Sequence, residues 1–242
     1  MPRVSKVLLV APAIVLLCIF GASCGSSSST AQYRVVQAVP DALGNFDISV
    51  NGKNVFTNVA FGATEPTFGY QTVSTGSDPI AVSQTGGTTP VIGSTSMNLI
   101  AGTQSTVLLT GLYAAPTAIV LRDNNTAPLS GRAELRIVDA SPSAPASLDI
   151  YIVAPGIDIT ERPPTISALQ FGEQSPYQDL TVGKSGNAQV MVIVTQTGDP
   201  TKTQLLNQIY TLSASQIRTL VLVDASGGGA ISVIPLELND LN

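Results

Sequence analysis

The 242-residue chain has no histidine and no tryptophan, only two cysteines, and 11 Lys and Arg against 16 Asp and Glu. Each shortage excludes something. Without histidine there is no Ser-His or Cys-His triad, and the commonest zinc ligand is missing. Of the two cysteines, Cys18 lies in an apolar N-terminal run, so Cys24 has no partner for a disulfide. Eleven scattered basic residues make no phosphate-binding footprint, which argues against a nucleic-acid partner. No stretch keeps a helical period over three turns, and charged residues are 11% of the chain. What remains is rich in Thr, Ser, Val, Gly and Ala, the composition of an extracytoplasmic β-protein.

Arg3 and Lys6 precede an apolar run over residues 7–20, followed by Gly21-Ala-Ser-Cys24. This order reads as a cleaved secretory signal over residues 1–23, and the run is short of the ~20 apolar residues a membrane span needs. The step Phe20-Gly-Ala-Ser-Cys24 resembles a bacterial lipobox, which implies a lipid on the Cys24 thiol. A non-lipidated secreted protein is the alternative. The Ser-rich stretch that follows has too little apolar surface to fold, so residues 24–31 read as a tether. The expected place is the cell envelope, lipid-anchored and on the outer membrane, with the membrane itself as one partner.

Beyond the tether one unit is written twice. Arg34-Val-Val-Gln-Ala-Val-Pro-Asp-Ala returns as Arg136-Ile-Val-Asp-Ala-Ser-Pro-Ser-Ala, and Phe46-Asp-Ile-Ser-Val50 returns as Leu148-Asp-Ile-Tyr-Ile152. The spacing predicts domains over 32–128 and 129–242, joined near Asn124-Asn-Thr-Ala-Pro128. Each is long enough to bury its own core. Short alternating runs between Gly, Pro and Asn turns predict an all-β fold of two tandem immunoglobulin-like antiparallel β-sandwiches. Asn51-Gly52 predicts a type I′ hairpin. Val59-Ala-Phe-Gly62 and residues 68–73 read as strands, and residues 205–212 as a strand or a short helix. Residues 153–165 replace the tight hairpin in the second copy with a Pro-rich loop.

The motifs Arg-Val-Val-x-Ala-x-Pro-Asp-Ala, Asp-Ile-x-Val-Asn-Gly and Val-Ala-Phe-Gly resemble the bacterial domain-of-unknown-function family 4397, over both copies. Gln37 and Asp139 stand where that family commonly has a histidine. The resemblance implies immunoglobulin-like repeats on secreted or surface-anchored proteins and implies no reaction.

The residues offer little catalytic chemistry, and no catalytic, cofactor or metal residue is assigned. Asp47, Glu65, Asp149, Glu173 and Asp179 could pair as glycosidase carboxylates, a remote alternative. Asp47 and Asp149 could hold a cation, or point outward on the polar face of their strands. Asp123-Asn124-Asn125 is the nearest approach to a calcium loop and reads better as turn chemistry. Gly183-Lys184-Ser185 lacks the earlier glycine of a phosphate loop. Arg34 and Arg136 suggest ion pairs inside each repeat or a strand-edge role, and Pro40 and Pro142 strand-ending corners. Tyr70, Tyr113, Tyr151 and Tyr177 could stack on a sugar or sit half-buried. The expected function is a non-enzymatic surface-displayed binding or adhesion module, for glycan or cell wall. The alternative is a structural scaffold that pairs with envelope proteins.

Overall fold

The computed structural model describes residues 29–76 and 78–226, and the backbone of 233–241. The signal, Cys24 and the Gly227-Gly-Gly229 bend lie outside the described residues. All seventeen elements are strands, so the chain is all-β among the described residues. They form four sheets. In the first half, β1 (Thr30–Gln37) lies between β4 (Thr64–Glu65) and β8 (Gln104–Thr110), with β9 (Thr117–Arg122) outermost, and β5 (Gln71–Ser74) also pairs with β1. The facing sheet runs β3 (Lys53–Val59), β2 (Phe46–Val50), β6 (Pro79–Gln84), β7 (Pro90–Ser96).

The second half repeats this order. One sheet is β13 (Gln178–Thr181), β10 (Arg132–Asp139), β16 (Ile217–Asp224), β17 (Val233–Leu241). The other is β12 (Ile166–Leu169), β11 (Leu148–Val153), β14 (Asn187–Gln196), β15 (Gln204–Ser213). Residues 205–212 are therefore strand, not helix.

The period-2 pattern explains each core. Phe46, Ile48 and Val50 of β2 face Tyr33 and Val35 of β1, and Leu148 and Ile150 of β11 face Leu135 and Ile137 of β10. The intervening residues of β1 and β10 are buried too. Val36, Ala38, Leu108 and Leu121 pack against Val138, Ala140, Val221 and Val223, so the repeated strands are covered on both faces and the two halves meet through them. That is why Arg34-Val-Val and Arg136-Ile-Val lack clean alternation.

The structure departs from the sequence reading in four places. The sheets are not wholly antiparallel: β1 runs parallel to β8 and β10 parallel to β16. Parallel neighbours need a long crossover, which the stretch from β2 to β7 supplies, with β2, β3, β6 and β7 forming the opposite sheet and β4 and β5 returning to pair with β1. Second, Val59-Ala-Phe-Gly62 is not a strand of its own: Val59 ends β3, and the chain turns at Phe61-Gly62. Gly62 sits at φ 80° and its N–H donates to the Gln37 carbonyl at 2.8 Å, as Gly172 (φ 83°) donates to that of Asp139 at 2.8 Å. The left-handed backbone leaves the strand region and favours glycine. Third, the run predicted over 68–73 pairs only from Gln71, leaving Phe68 exposed. Fourth, β1 begins at Thr30 and buries Ala31, two residues into the expected tether. The Asn51-Gly52 hairpin has positive φ at both residues (52° and 72°), the geometry of a type I′ turn.

Candidate functional site

Arg34 and Arg136 open the outer row of the inter-half face, two residues before Val36 and Val138. Arg34 makes the expected ion pair inside its own repeat, whereas Arg136 reaches across to the other half for its partner. Both reach Asp123, which lies just past β9 and has a fully buried side chain. Arg136 donates from Nη2 to Asp123 Oδ1 at 2.8 Å, and Arg34 Nη2 stands 3.6 Å from Oδ2. Each guanidinium also donates through Nε to a threonine on the parallel neighbour strand, Arg34 to Thr106 (2.7 Å) and Arg136 to Thr219 (2.9 Å). Arg136 further reaches the Arg122 carbonyl (2.8 Å) and Gln174 Oε1 (3.0 Å).

Each arginine is roofed by an aromatic ring. Tyr70 lies 5.1 Å from the Arg34 guanidinium carbon and Tyr177 lies 4.8 Å from that of Arg136. Tyr70 donates its hydroxyl to Asp123 Oδ2 at 2.8 Å. Burial and the adjacent Asp123 carboxylate push the Tyr70 pKa well up, so it is a neutral donor at any physiological pH. Two of the four candidate tyrosines thus serve the seam. Tyr151 is buried under Ile159, Met191 and Ile193, and Tyr113 packs on the first core with its N–H on Asp41.

Beside the seam, Asn125 donates to the Tyr70 hydroxyl (3.1 Å) and to Gln104 Oε1, and Gln104 donates to Gln32 Oε1 (2.8 Å). These amides form the floor of a solvent-open cavity of about 550 Å³, whose walls include Thr103, Arg122, Asn124 and Thr126. A smaller pocket of about 160 Å³ shares Gln32, Gly102 and Thr103 with it and runs on towards Thr30 and Thr72. Asn125 Oδ1 is buried without a hydrogen-bond partner. The lining is mostly amide and hydroxyl, with the Arg122 guanidinium and with Asp123, whose carboxylate is buried against the two arginines. Such groups suit a ligand rich in hydroxyls that gives and takes hydrogen bonds.

The candidate carboxylates do not come together. Asp47 accepts from Asn58 N–H and Thr85 Oγ1 (both 2.9 Å) and from Gly86 N–H (3.3 Å), which holds its pKa below the usual range. Asp149 accepts from Ala168 N–H and Thr197 Oγ1 (both 3.0 Å). Asn58 and Ala168 have positive φ (60° and 54°), so each aspartate pins a bulge on the neighbouring strand. Glu173 accepts from Gln170 N–H and Asp179 faces Arg132 at 3.5 Å on the surface, while Glu65 lies in β4. No group of three or more His, Cys, Asp or Glu converges among the described residues. Gly183-Lys184-Ser185 forms the turn between β13 and β14. Pro40 and Pro142 sit in turns after the repeated strands.

Asp123 is the residue that reading the sequence missed. Asn124 does form the expected Asx turn, accepting from Thr126 N–H at 3.1 Å, but the aspartate before it is buried. A signal was present: Leu121-Arg-Asp-Asn-Asn125 is echoed by Leu238-Asn-Asp-Leu-Asn242.

The fold and seam define an all-β protein of two similar halves joined face to face. A family model, Domain of unknown function (DUF4397), matches residues 31–151, half of the chain, and the chain belongs to that family. No curated protein matches it in sequence. Among solved structures it is similar to the product complex of the multi-modular glycogen-degrading pneumococcal virulence factor SpuA. That match has 12% identity and a TM-score of 0.25, and covers 86% of this chain but 22% of the other. It is also similar to a streptococcal virulence factor described for alpha-glucan binding (11%, TM-score 0.25, 84% and 97% covered). A third likeness is to family 41 carbohydrate-binding modules from streptococcal virulence factors (14%, TM-score 0.23, 81% and 94% covered). Likeness at those TM-scores carries no argument about this chain.

Proposed function

We propose that the protein is a non-enzymatic, lipid-anchored envelope protein whose folded part is a surface-displayed binding module, and that its ligand is a neutral polysaccharide. The observation that supports this is the polar cavity beside the seam. Gln32, Gln104 and Asn125 hold one another in place, Thr103 and Thr126 add hydroxyls, and the buried Arg34–Asp123–Arg136 cluster fixes the backbone beneath. A rigid row of amides and hydroxyls loses little entropy on binding sugar hydroxyls. The anchor reading rests on the step into Cys24, and Cys24→Ser is expected to move the protein from the membrane fraction to the soluble one.

The test uses the chain from Gly25 onward, which keeps every core residue of both halves. Its retention on immobilised polysaccharides and peptidoglycan is measured with and without calcium, beside Gln104→Ala and Asn125→Ala. Selective retention that both variants lose, at unchanged melting temperature, supports the reading. Retention that survives them moves the site elsewhere, and no retention on any matrix rejects it. A scaffold role is the second reading, favoured by the open edge of β15.

A further inference from the structure

Edge strands expose unpaired N–H and C=O groups, and proteins blunt them with charge, proline, glycine or brevity. Here nearly every edge is blunted. β3 opens on Lys53, β7 has Pro90 and Gly93, β9 ends on Arg122, and β17 contains Pro235, Glu237 and Asp240. β4, β5, β12 and β13 are four residues or fewer. β15 differs. It is ten residues long, Gln-Leu-Leu-Asn-Gln-Ile-Tyr-Thr-Leu-Ser, with no charge, proline or glycine. It ends its sheet, pairing with β14 alone among the described residues. An apolar row runs out to it: Val153 pairs with Met191 and Met191 with Ile209, which is 52% exposed where the row meets the open edge.

We infer that β15 pairs antiparallel with β15 of a second copy of this chain, making one eight-stranded sheet across a two-fold axis. A chargeless strand is its own complement, since antiparallel self-pairing sets no like charges opposite one another. The register that places Ile209 opposite Ile209 of the other copy joins the two apolar rows at their exposed ends. It also sets Asn207 opposite Thr211, so amide meets hydroxyl. The matching edge of the first half, β7, has no such row and carries Pro90 and Gly93. The pairing is independent of any ligand at the polar cavity.

The test is sedimentation equilibrium of the chain from Gly25 onward over a concentration series, with hydrogen exchange of the β15 amides at both ends of it. The expected result is a monomer–dimer equilibrium in which those amides exchange more slowly at high concentration. Ile209→Lys, which sets two ammonium groups across the axis, is expected to raise the dimer Kd at least about tenfold. Ile209 is exposed, so the monomer should keep its melting temperature; Asn207→Lys serves as a second, independent variant. A protein that stays monomeric at all concentrations overturns the inference. So does a dimer that both variants leave intact, or one without protection of β15.

Discussion

The two halves hold their shape by the same contacts and cover their outer faces by opposite means. In the first, β2 returns through the two-residue Asn51-Gly52 turn, and the outward residues of β2 and β6 are polar or small: Asp47, Ser49, Ala81 and Ser83. In the second, Tyr151, Met191 and Ile193 point outward, and residues 154–165 fold back to lay Ile159 over them. Lys202 fastens that loop, donating from Nζ to the carbonyls of Ile159 and Arg162 (both 2.6 Å) and lying 5.0 Å from the centre of the Tyr151 ring. This explains why β14 is so apolar along its length: it is buried on both faces. One topology thus tolerates a bare polar sheet or a covered apolar one, provided strand composition and loop change together.

The largest effect is expected where the halves join. Asp123→Ala removes the carboxylate shared by Arg34 and Arg136 and leaves two buried guanidinium groups short of an acceptor. The expected cost is about 3–5 kcal/mol in urea unfolding. It should also break the coupling between the halves, so that one unfolding transition becomes two by fluorescence and circular dichroism. A single transition with an unchanged midpoint would mean that the seam does not couple them.

Next is the loop. Ile159→Ala empties the contact over Tyr151, Met191 and Ile193 and should cost about 2 kcal/mol, with increased binding of an apolar dye. Lys202→Ala should cost less and act in the same direction. Both changes should leave the first half's transition in place once Asp123→Ala has separated the two. Loss from the first half would contradict the division of labour drawn above.

A third difference lies at the core-facing end of the repeated strand. The first half has Gln37, whose Oε1 accepts from Val39 N–H at 2.7 Å. The second has Asp139, whose Oδ1 accepts from Ser141 N–H at 3.0 Å, while Ser141 Oγ donates to the buried Asp224. Burial, with Asp224 adding to it, pushes the Asp139 pKa up to about 6 against the pull of the Ser141 bond. Between the unfolded value of about 4 and the folded one, the folded state holds a proton that the unfolded state releases. This contribution to stability is therefore complete at low pH and lost as pH rises through about 6. Asp139→Asn escapes that loss. It should gain on the order of 1–2 kcal/mol over wild type at pH 7.5 and nearly nothing at pH 4. Equal effects at both pH values would reject the buried-acid account.

Much of this architecture is legible from residues, and the illegible parts have physical reasons. The duplicated Arg-x-x-x-Ala strand, the Asn-Gly hairpin and most strands follow from local pattern, because a half-buried strand alternates and a type I′ turn needs two positive φ values. The parallel pairing of β1 with β8 is set by how the chain crosses between sheets, which period-2 patterning does not encode. The same strands face two cores, so Arg34 and Arg136 look like exposed strand residues until the second half is laid against the first. Asp123 follows the same logic: beside Asn124 and Asn125 it has the composition of a turn, and only the seam gives it a buried role. Val59-Ala-Phe-Gly62 has the composition of a strand, yet its glycine bends it onto Gln37.

The smallest predicted effect is also the most direct test of equivalence between the halves. Asp47 and Asp149 do the same work, each tying a left-handed residue of the adjacent strand and a threonine beyond the next. Asp47→Asn and Asp149→Asn should therefore destabilise alike, each by less than about 1 kcal/mol, since both sites are near solvent. For Asp47 the backbone hydrogen bonds keep the carboxylate charged below its usual range, so its contribution holds at neutral pH and fades as pH falls through the lowered pKa. The Asp47→Asn difference should shrink on acidification as the Asp139→Asn difference does, but from a loss of stability at neutral pH rather than a gain. If the two bulge aspartates differ by more than their errors, the second half's loop, which runs into β12 beside Asp149, has taken over part of the bulge's support, and the halves are equivalent in outline only.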